Sequence, residues 1–150
     1  MQWTFFGPGS QSIADASGLG LYASGPRSFV SSFAYAFGAA GGFPFRSRTS
    51  AQAGVVKVLP RAVAAATAAP TQIAVTWAAA AAAPGLAYDV EVRVPGESAF
   101  APWRSAVSEP RGDFPAPAAG TYRFRARLVS TAAVPPVRSG WSPVVDVSVG

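Results

Sequence analysis

Hydrophobic and polar residues alternate with a period of two in several short segments of the chain, and this alternation predicts β-strands. In segment 86–94 every second residue is apolar, and the residues between them include Asp89, Glu91 and Arg93. The same alternation occurs in segments 71–77, 122–128 and 145–149. Short strands of this kind, separated by Pro-Gly turns, are typical of antiparallel sandwiches in which each sheet has one wet face.

The first sixty residues follow the same period. Residues 33–37 alternate aromatic side chains with alanine and predict a strand, residues 38–42 predict a Gly-rich turn, and residues 43–45 resume the alternation. A further strand ends at Val58, and the Leu59-Pro60 pair after it predicts a boundary between domains 1–59 and 60–150. The aromatic residues predicted to lie in the core of the first domain are Phe29, Phe33, Tyr35, Phe37, Phe43 and Phe45.

The Ala-rich run 62–83 is the segment with the strongest helical propensity, because Ala is the best helix former. Pro70 interrupts the run, and the alternating segment 71–77 follows directly. Residues 78–83 end at Pro84-Gly85 and are predicted to form a loop, with a short helical turn as the alternative. The sequence therefore predicts an all-β protein built from two β-sandwich modules.

Composition excludes much of the common catalytic chemistry. The 150 residues contain no Cys and no His, so disulfides, thiolate nucleophiles, imidazole bases and the usual Cys or His metal ligands are absent. The seven carboxylates include no pair whose flanking sequence indicates an acid–base couple, and no Gly-rich segment carries the Lys of a phosphate-binding loop. We predict a protein that is not an enzyme and that needs no cofactor.

Charge and hydropathy bear on partners and location. The net charge of +5 is modest and no dense basic run exists, so a nucleic-acid partner is not expected. No apolar stretch reaches about 18 residues, so no membrane span is expected. Met1 leads directly into an apolar strand without a signal peptide. We expect a fragment of a larger secreted protein, extracellular or periplasmic, whose signal peptide lies upstream.

The second half resembles a fibronectin type III domain. The resemblance rests on TQIAVTW, LAYDVEVRV, GTYRFRARLV and SGWSPVVDVSV, in that order and spacing. It implies that Trp77 is a core residue on the second strand and that Tyr88 is its counterpart on the third. It also implies that Gly120 and Tyr122 form a tyrosine corner, in which the phenol bonds to upstream backbone. The expected fold is an immunoglobulin-like sandwich.

The first half resembles the C-terminal part of a cupredoxin, a blue-copper domain with a Greek-key fold. The resemblance rests on WTFFGPGSQS, DASGLGLYASG, SFAYAFGAAGGFPFRS and AGVVKV. A full cupredoxin is about twice as long, and its first strands are missing here. A truncated sheet of this kind would have unpaired edges, through which the protein could associate with itself.

The resemblance also implies where copper ligands would stand. The first His position corresponds to Gln11, the Cys and second His positions to Ser47 and Ser50, and the Met position to Gln52. A register shifted by one residue gives Arg46 and Thr49 in place of the two serines. Type 1 copper needs two imidazoles and a thiolate, so neither register can hold it, and these positions are predicted to be vestigial.

Three features of the second half are candidates for a binding surface. Arg123, Arg125 and Arg127 alternate along one strand, where either cross-strand ion pairs with Asp89 and Glu91 or an anion-binding face would explain them. Trp141 could stack on Arg123 or Arg125, or could be an ordinary half-buried aromatic residue. Trp103 could be a sugar platform or could cover the edge of the sandwich.

These observations predict a non-catalytic extracellular structural or binding module with an unknown protein or polysaccharide partner. Two alternatives remain. One is a copper electron-transfer protein, which follows from the family resemblance alone. The other is a carbohydrate-binding accessory module that uses Trp103 or Trp141.

Overall fold

The computed structural model describes residues 1–65 and 71–150; Pro70, the predicted helix breaker, lies outside them. The described residues contain no helix, and so none that could span a membrane. They form twelve strands: β1 (Gln2–Phe5), β2 (Ile13–Asp15), β3 (Ser31–Ala34), β4 (Gly41–Ser47), β5 (Ala53–Val58), β6 (Arg61–Ala64), β7 (Thr71–Thr76), β8 (Leu86–Arg93), β9 (Ala101–Val107), β10 (Arg111–Ala116), β11 (Gly120–Ser130) and β12 (Val145–Val149). The prediction of an all-β sandwich protein is confirmed.

The second half contains two antiparallel sheets that share a core. One sheet has the order β10-β7-β6, and the other has the order β12-β11-β8-β9. Ile73 and Val75 from the first sheet and Val90 and Phe124 from the second have no exposed surface and belong to one hydrophobic cluster. The alternation of apolar and polar residues therefore buries one face of each sheet, as the sequence predicts.

Two polar groups of buried aromatic residues anchor the edges of this core. The Trp77 indole nitrogen donates to the Glu109 carbonyl at 2.7 Å, and the Tyr122 hydroxyl donates to the Ala118 carbonyl at 2.9 Å. Both rings are almost fully buried, and these bonds satisfy their polar atoms. The predicted core position of Trp77 and the predicted corner bond of Tyr122 are both confirmed.

The first half contains a two-stranded sheet, β1-β3, and a three-stranded sheet, β2-β4-β5. An aromatic cluster joins them: the Trp3 ring of β1 stacks on Tyr22 at 5.4 Å and on Phe33 of β3 at 5.9 Å, and meets Phe45 of β4 edge-on at 5.7 Å. Phe29, which the alternation places in the core, is instead 63% exposed. Phe29 precedes β3 rather than lying on it, so the period of two does not apply there.

The two halves are joined by backbone hydrogen bonds and by side-chain packing. The Ala40 N–H donates to the Trp77 carbonyl at 2.7 Å, and Gly42 and Gly140 exchange two bonds of 2.8 Å each. Phe43, which is 2% exposed, belongs to the same hydrophobic cluster as Ile73 of β7. The chain from Ala40 to Phe43 therefore packs directly against the second half.

The predicted turn at residues 38–42 is wrong, because β4 already begins at Gly41. Glycine serves here for close approach rather than for turning: a Cβ on Gly42 would lie 3.0 Å from the Trp141 carbonyl oxygen. The strand predicted over residues 33–37 is also shorter than expected, since β3 ends at Ala34. After β3 the chain runs toward the second half, where Ala40 bonds to Trp77.

Candidate functional site

A cavity of about 390 Å³ opens between the loop after β1 and the hairpin that connects β4 to β5. It brings together Gln11, Ser50 and Gln52, three of the four residues that the cupredoxin resemblance would place at copper-ligand positions. Thr49, from the shifted register, lies there too. We call it the neutral cavity, and its lining is Thr4, Phe6, Gly7, Pro8, Ser10, Gln11, Thr49, Ser50 and Gln52.

The fourth position, Ser47, fixes the hairpin loop instead of lining the cavity. Its hydroxyl oxygen accepts hydrogen bonds from the Thr49 and Ser50 N–H groups, each at 3.1 Å. Its own N–H donates to the Gln52 carbonyl at 2.7 Å and closes the loop. A serine hydroxyl that accepts hydrogen bonds from backbone N–H groups two and three residues later stabilises a tight turn. Thr49, Ser50 and Gln52 are thereby held on one wall of the cavity.

Gln11 is held from the other side of the cavity. Its N–H donates to the Arg27 carbonyl at 2.9 Å, and the Arg27 N–H donates to the Gln11 carbonyl at 2.7 Å. Gly7 packs beneath the side chain of Gln11, and a Cβ on residue 7 would overlap the Gln11 amide nitrogen. The paired bonds to Arg27 therefore fix the backbone of Gln11, and its side-chain amide lies directly against Gly7.

The donor set of the neutral cavity does not fit type 1 copper. Its side chains offer amide and hydroxyl groups, which are neutral and bind this metal weakly, and no soft sulfur or imidazole. In 1–65 and 71–150, no three carboxylate, His or Cys side chains come together at a metal-binding distance.

A second candidate region is the arginine face, which consists of Arg123, Arg125 and Arg127 on β11. Arg125 donates from Nε and Nη2 to Glu91 at 2.8 and 2.6 Å, and Arg127 donates from the same atoms to Asp89 at 3.0 and 2.9 Å. The cross-strand ion pairs predicted from the sequence are confirmed. These carboxylates neutralise the two half-buried guanidinium groups and leave little free positive charge for an anion.

Aromatic rings cover the same two guanidinium groups. Arg125 lies 4.2 Å from the centroid of the Phe100 ring and 4.6 Å from that of Trp141, and Arg127 lies 4.2 Å from that of Trp141. The predicted stacking on Trp141 is therefore made by Arg125 and Arg127. Arg123 instead pairs with Asp146, at 3.3 Å and with greater exposure. Two guanidinium groups of the protein already contact the Trp141 ring.

Trp103 of β9 points into the second half rather than out of it. Its ring meets Trp77 at 5.7 Å and Phe114 at 5.3 Å, both edge-on, and it packs against the hydrophobic core. The Arg104 guanidinium lies 5.3 Å from the centroid of the same ring. These contacts match those of a residue that covers the edge of the sandwich.

Sequence patterns did not identify every residue of these two regions. Phe6 and Ser10 line the neutral cavity but follow β1 in a loop, where no periodicity marks them. Phe100 contacts Arg125 from the loop before β9. It also has no sequence signal, because a loop has no periodicity. Arg93, which lies 5.2 Å from the Phe100 ring, could have been found, because it shares the polar face of β8 with Glu91.

Comparison with known proteins gives no family for the chain. No protein-family model matches it, and no curated protein matches it.

Proposed function

We propose that this protein is a non-catalytic structural and binding module that acts outside the cytoplasm. One observation carries the proposal: the residues gathered in the neutral cavity offer only uncharged amide and hydroxyl groups. Such groups can hydrogen-bond a ligand, but they do not carry an electron, and a serine without an adjacent base is a weak nucleophile at neutral pH. The cavity therefore suits recognition better than redox or hydrolytic chemistry.

The fold supports the proposed division into two domains, each of which resembles a different family. The described part of residues 60–150 has seven strands in sheets of three and four, with a buried Trp77 and a corner at Tyr122. These features support the proposal of a fibronectin type III-like domain, since sandwiches of the immunoglobulin type share this plan. In residues 1–59, the convergence of Gln11, Ser50 and Gln52 supports the proposal of a truncated cupredoxin-like domain without copper ligands.

The partner we propose is a protein or a polysaccharide, and the location is the extracellular space or the periplasm. Both follow from the two resemblances and from the neutral cavity. Fractionation of the source cells tests the location, because recovery of the protein in the cytoplasmic fraction alone would contradict it.

Addition of Cu(II) to the purified protein tests the proposal against the electron-transfer alternative. We expect no intense visible charge-transfer band, because the chain has no thiolate to give one. A purified blue-copper protein measured in parallel is the control for the detection of a copper–thiolate band. A blue band in the unmodified protein would overturn the proposal.

A further inference from the structure

We propose that the neutral cavity binds the end of an uncharged saccharide, one or two sugar rings in size. This inference rests on the proposed function of a binding module and names the class of its ligand. It assigns carbohydrate recognition to the first half, away from Trp103 and Trp141, whose rings are engaged in contacts within the protein.

Size is the first argument. The cavity volume of about 390 Å³ is near the lower limit of pockets that enclose small molecules, which run from about 300 to 1,000 Å³. A volume of this size accommodates a terminal sugar unit rather than a long stretch of polymer. Its walls are the loop after β1 and the β4–β5 hairpin, so a chain end can enter between them.

The chemistry of the lining is the second argument. Four of the nine described lining residues carry hydroxyls and two carry primary amides, whereas none carries a charge. A primary amide offers both a donor and an acceptor, and this pair complements neighbouring hydroxyls on a sugar ring. An ion would find no opposite charge within the lining, whereas a polyol would find several hydrogen-bonding groups.

The exposed aromatic ring in the lining is the third argument. Phe6 is 66% exposed although it is large and apolar. The C–H groups on one face of a sugar ring carry small positive charges, and the face of an aromatic ring is negative, so the two surfaces attract. Phe6 thus supplies the apolar contact that pockets combine with a few placed polar groups.

Preorganisation is the fourth argument. The bonds that fix the hairpin loop are made by backbone groups and serine hydroxyls, and not by the glutamine amides. The backbone of Gln11 is held by paired bonds to Arg27, and its side-chain amide lies against Gly7. The backbone frame of the site therefore exists before a ligand arrives, so less ordering has to be offset on binding.

The amide signals of the side chains give a direct test, because the chain has four glutamines and no asparagine. Methyl glycosides of glucose, galactose, mannose, xylose and N-acetylglucosamine, and a hexasaccharide of each sugar that binds, are titrated into ¹⁵N-labelled full-length protein. We expect saturable shifts of the Gln11 and Gln52 side-chain amide signals, while those of Gln2 and Gln72, which do not line the cavity, stay in place. The hexasaccharide should bind with a similar affinity, because the cavity holds only one or two rings. A much higher affinity would show contacts along the polymer and would contradict a chain-end site.

Matched variants complete the test. We expect Gln11→Ala and Gln52→Ala each to weaken the binding about tenfold, which corresponds to the loss of one or two hydrogen bonds. Gln72→Ala, a change on the exposed face of β7, should leave the affinity unchanged. The inference fails if no glycoside gives saturable shifts, if all four glutamines shift alike, or if inorganic phosphate moves Gln11 and Gln52 more than the sugars do. None of these outcomes produces a copper band, so they would leave the proposed function standing.

Discussion

Tyr22 shows how a single buried hydroxyl can weaken a fold. Its side chain is 8% exposed, and its hydroxyl has no hydrogen-bond partner among the described residues. Burial raises the pKa of Tyr22 to about 12, with smaller contributions from the negative charge of Asp15 and from Tyr35. A polar group that loses water without gaining a partner destabilises the native state.

We predict that Tyr22→Phe raises the free energy of unfolding by about 1 kcal/mol at neutral pH, because it removes the unpaired hydroxyl and keeps the ring contacts. The raised pKa makes the effect depend on pH. The unfolded chain loses the phenol proton near pH 10, while the native state holds it until about pH 12. The part of the free energy of unfolding that comes from this difference in pKa is therefore fully present below pH 10. It is lost as the pH rises toward 12.

Chemical denaturation at neutral pH and at about pH 11 checks this prediction. The variant should lose less stability between the two pH values than the unmodified protein. Some loss remains, because burial also raises the pKa of Tyr35 and Tyr88. An equal loss in both proteins would show that Tyr22 is not responsible.

The sequence identified those individual residues whose environment depends on their own strand. Trp77 and Tyr122 lie in alternating segments, so their burial could be predicted from the pattern. Phe29 and Phe6 lie just outside strands, where side-chain direction depends on the path of the loop. The exposure of these two residues could not be predicted from the pattern. The same holds for the aromatic side of the neutral cavity, which Phe6 forms.

At the scale of elements, β11 combines two kinds of interaction on its polar face. Arg125 pairs with Glu91 and lies between Phe100 and Trp141, and the side chain of Glu91 is 19% exposed. Arg123 pairs with Asp146 at the edge, where the side chains are 39% and 54% exposed. The same residue type on the same strand therefore has two environments.

We predict that Arg125→Ala lowers the free energy of unfolding by about 2 kcal/mol, because it leaves Glu91 half-buried without its partner and removes the packing of two rings. The matched change Arg123→Ala should cost less than about 1 kcal/mol, as exposed ion pairs do. Urea unfolding of both variants measures the difference. Equal costs would mean that burial and stacking add nothing to the Arg125 pair.

Element prediction from the sequence succeeded for long alternating strands and failed for short or irregular ones. Most of β8 and β11 could be placed because the period of two runs unbroken through segments 86–94 and 122–128. β2 has three residues, and β9 contains a bulge opposite β8, so neither shows a clear alternation. β4 begins in the glycines of a predicted turn, because Gly41 and Gly42 pair with the end of β5, and Gly42 also bridges to Gly140 from the other half of the chain.

At the scale of the whole molecule, the contact between Gly42 and Gly140 couples the two halves. We predict that Gly42→Ala lowers the free energy of unfolding by about 1–3 kcal/mol, since its Cβ would press on the Trp141 carbonyl and force the strands apart. Gly38→Ala is the control, because a Cβ there meets nothing within 4 Å. It should leave stability unchanged or raise it slightly.

Tryptophan fluorescence during thermal unfolding measures both variants. Trp3 reports on the first half, and three further tryptophans report on the second. We expect one shared transition in the unmodified protein and in Gly38→Ala, and a lower or divided transition in Gly42→Ala. An unchanged transition in Gly42→Ala would show that the two halves do not depend on this contact.

The bonds between Gly42 and Gly140 also bear on the order in which the protein matures during synthesis. A ribosome adds roughly a hundred residues after Gly42 before it reaches Gly140. Until then, the N–H and the carbonyl of Gly42 in β4 lack the two bonds that Gly140 gives them. This part of β4 is therefore an open strand edge until Gly140 has been synthesised. During that interval a chaperone or a neighbouring nascent chain could bind it.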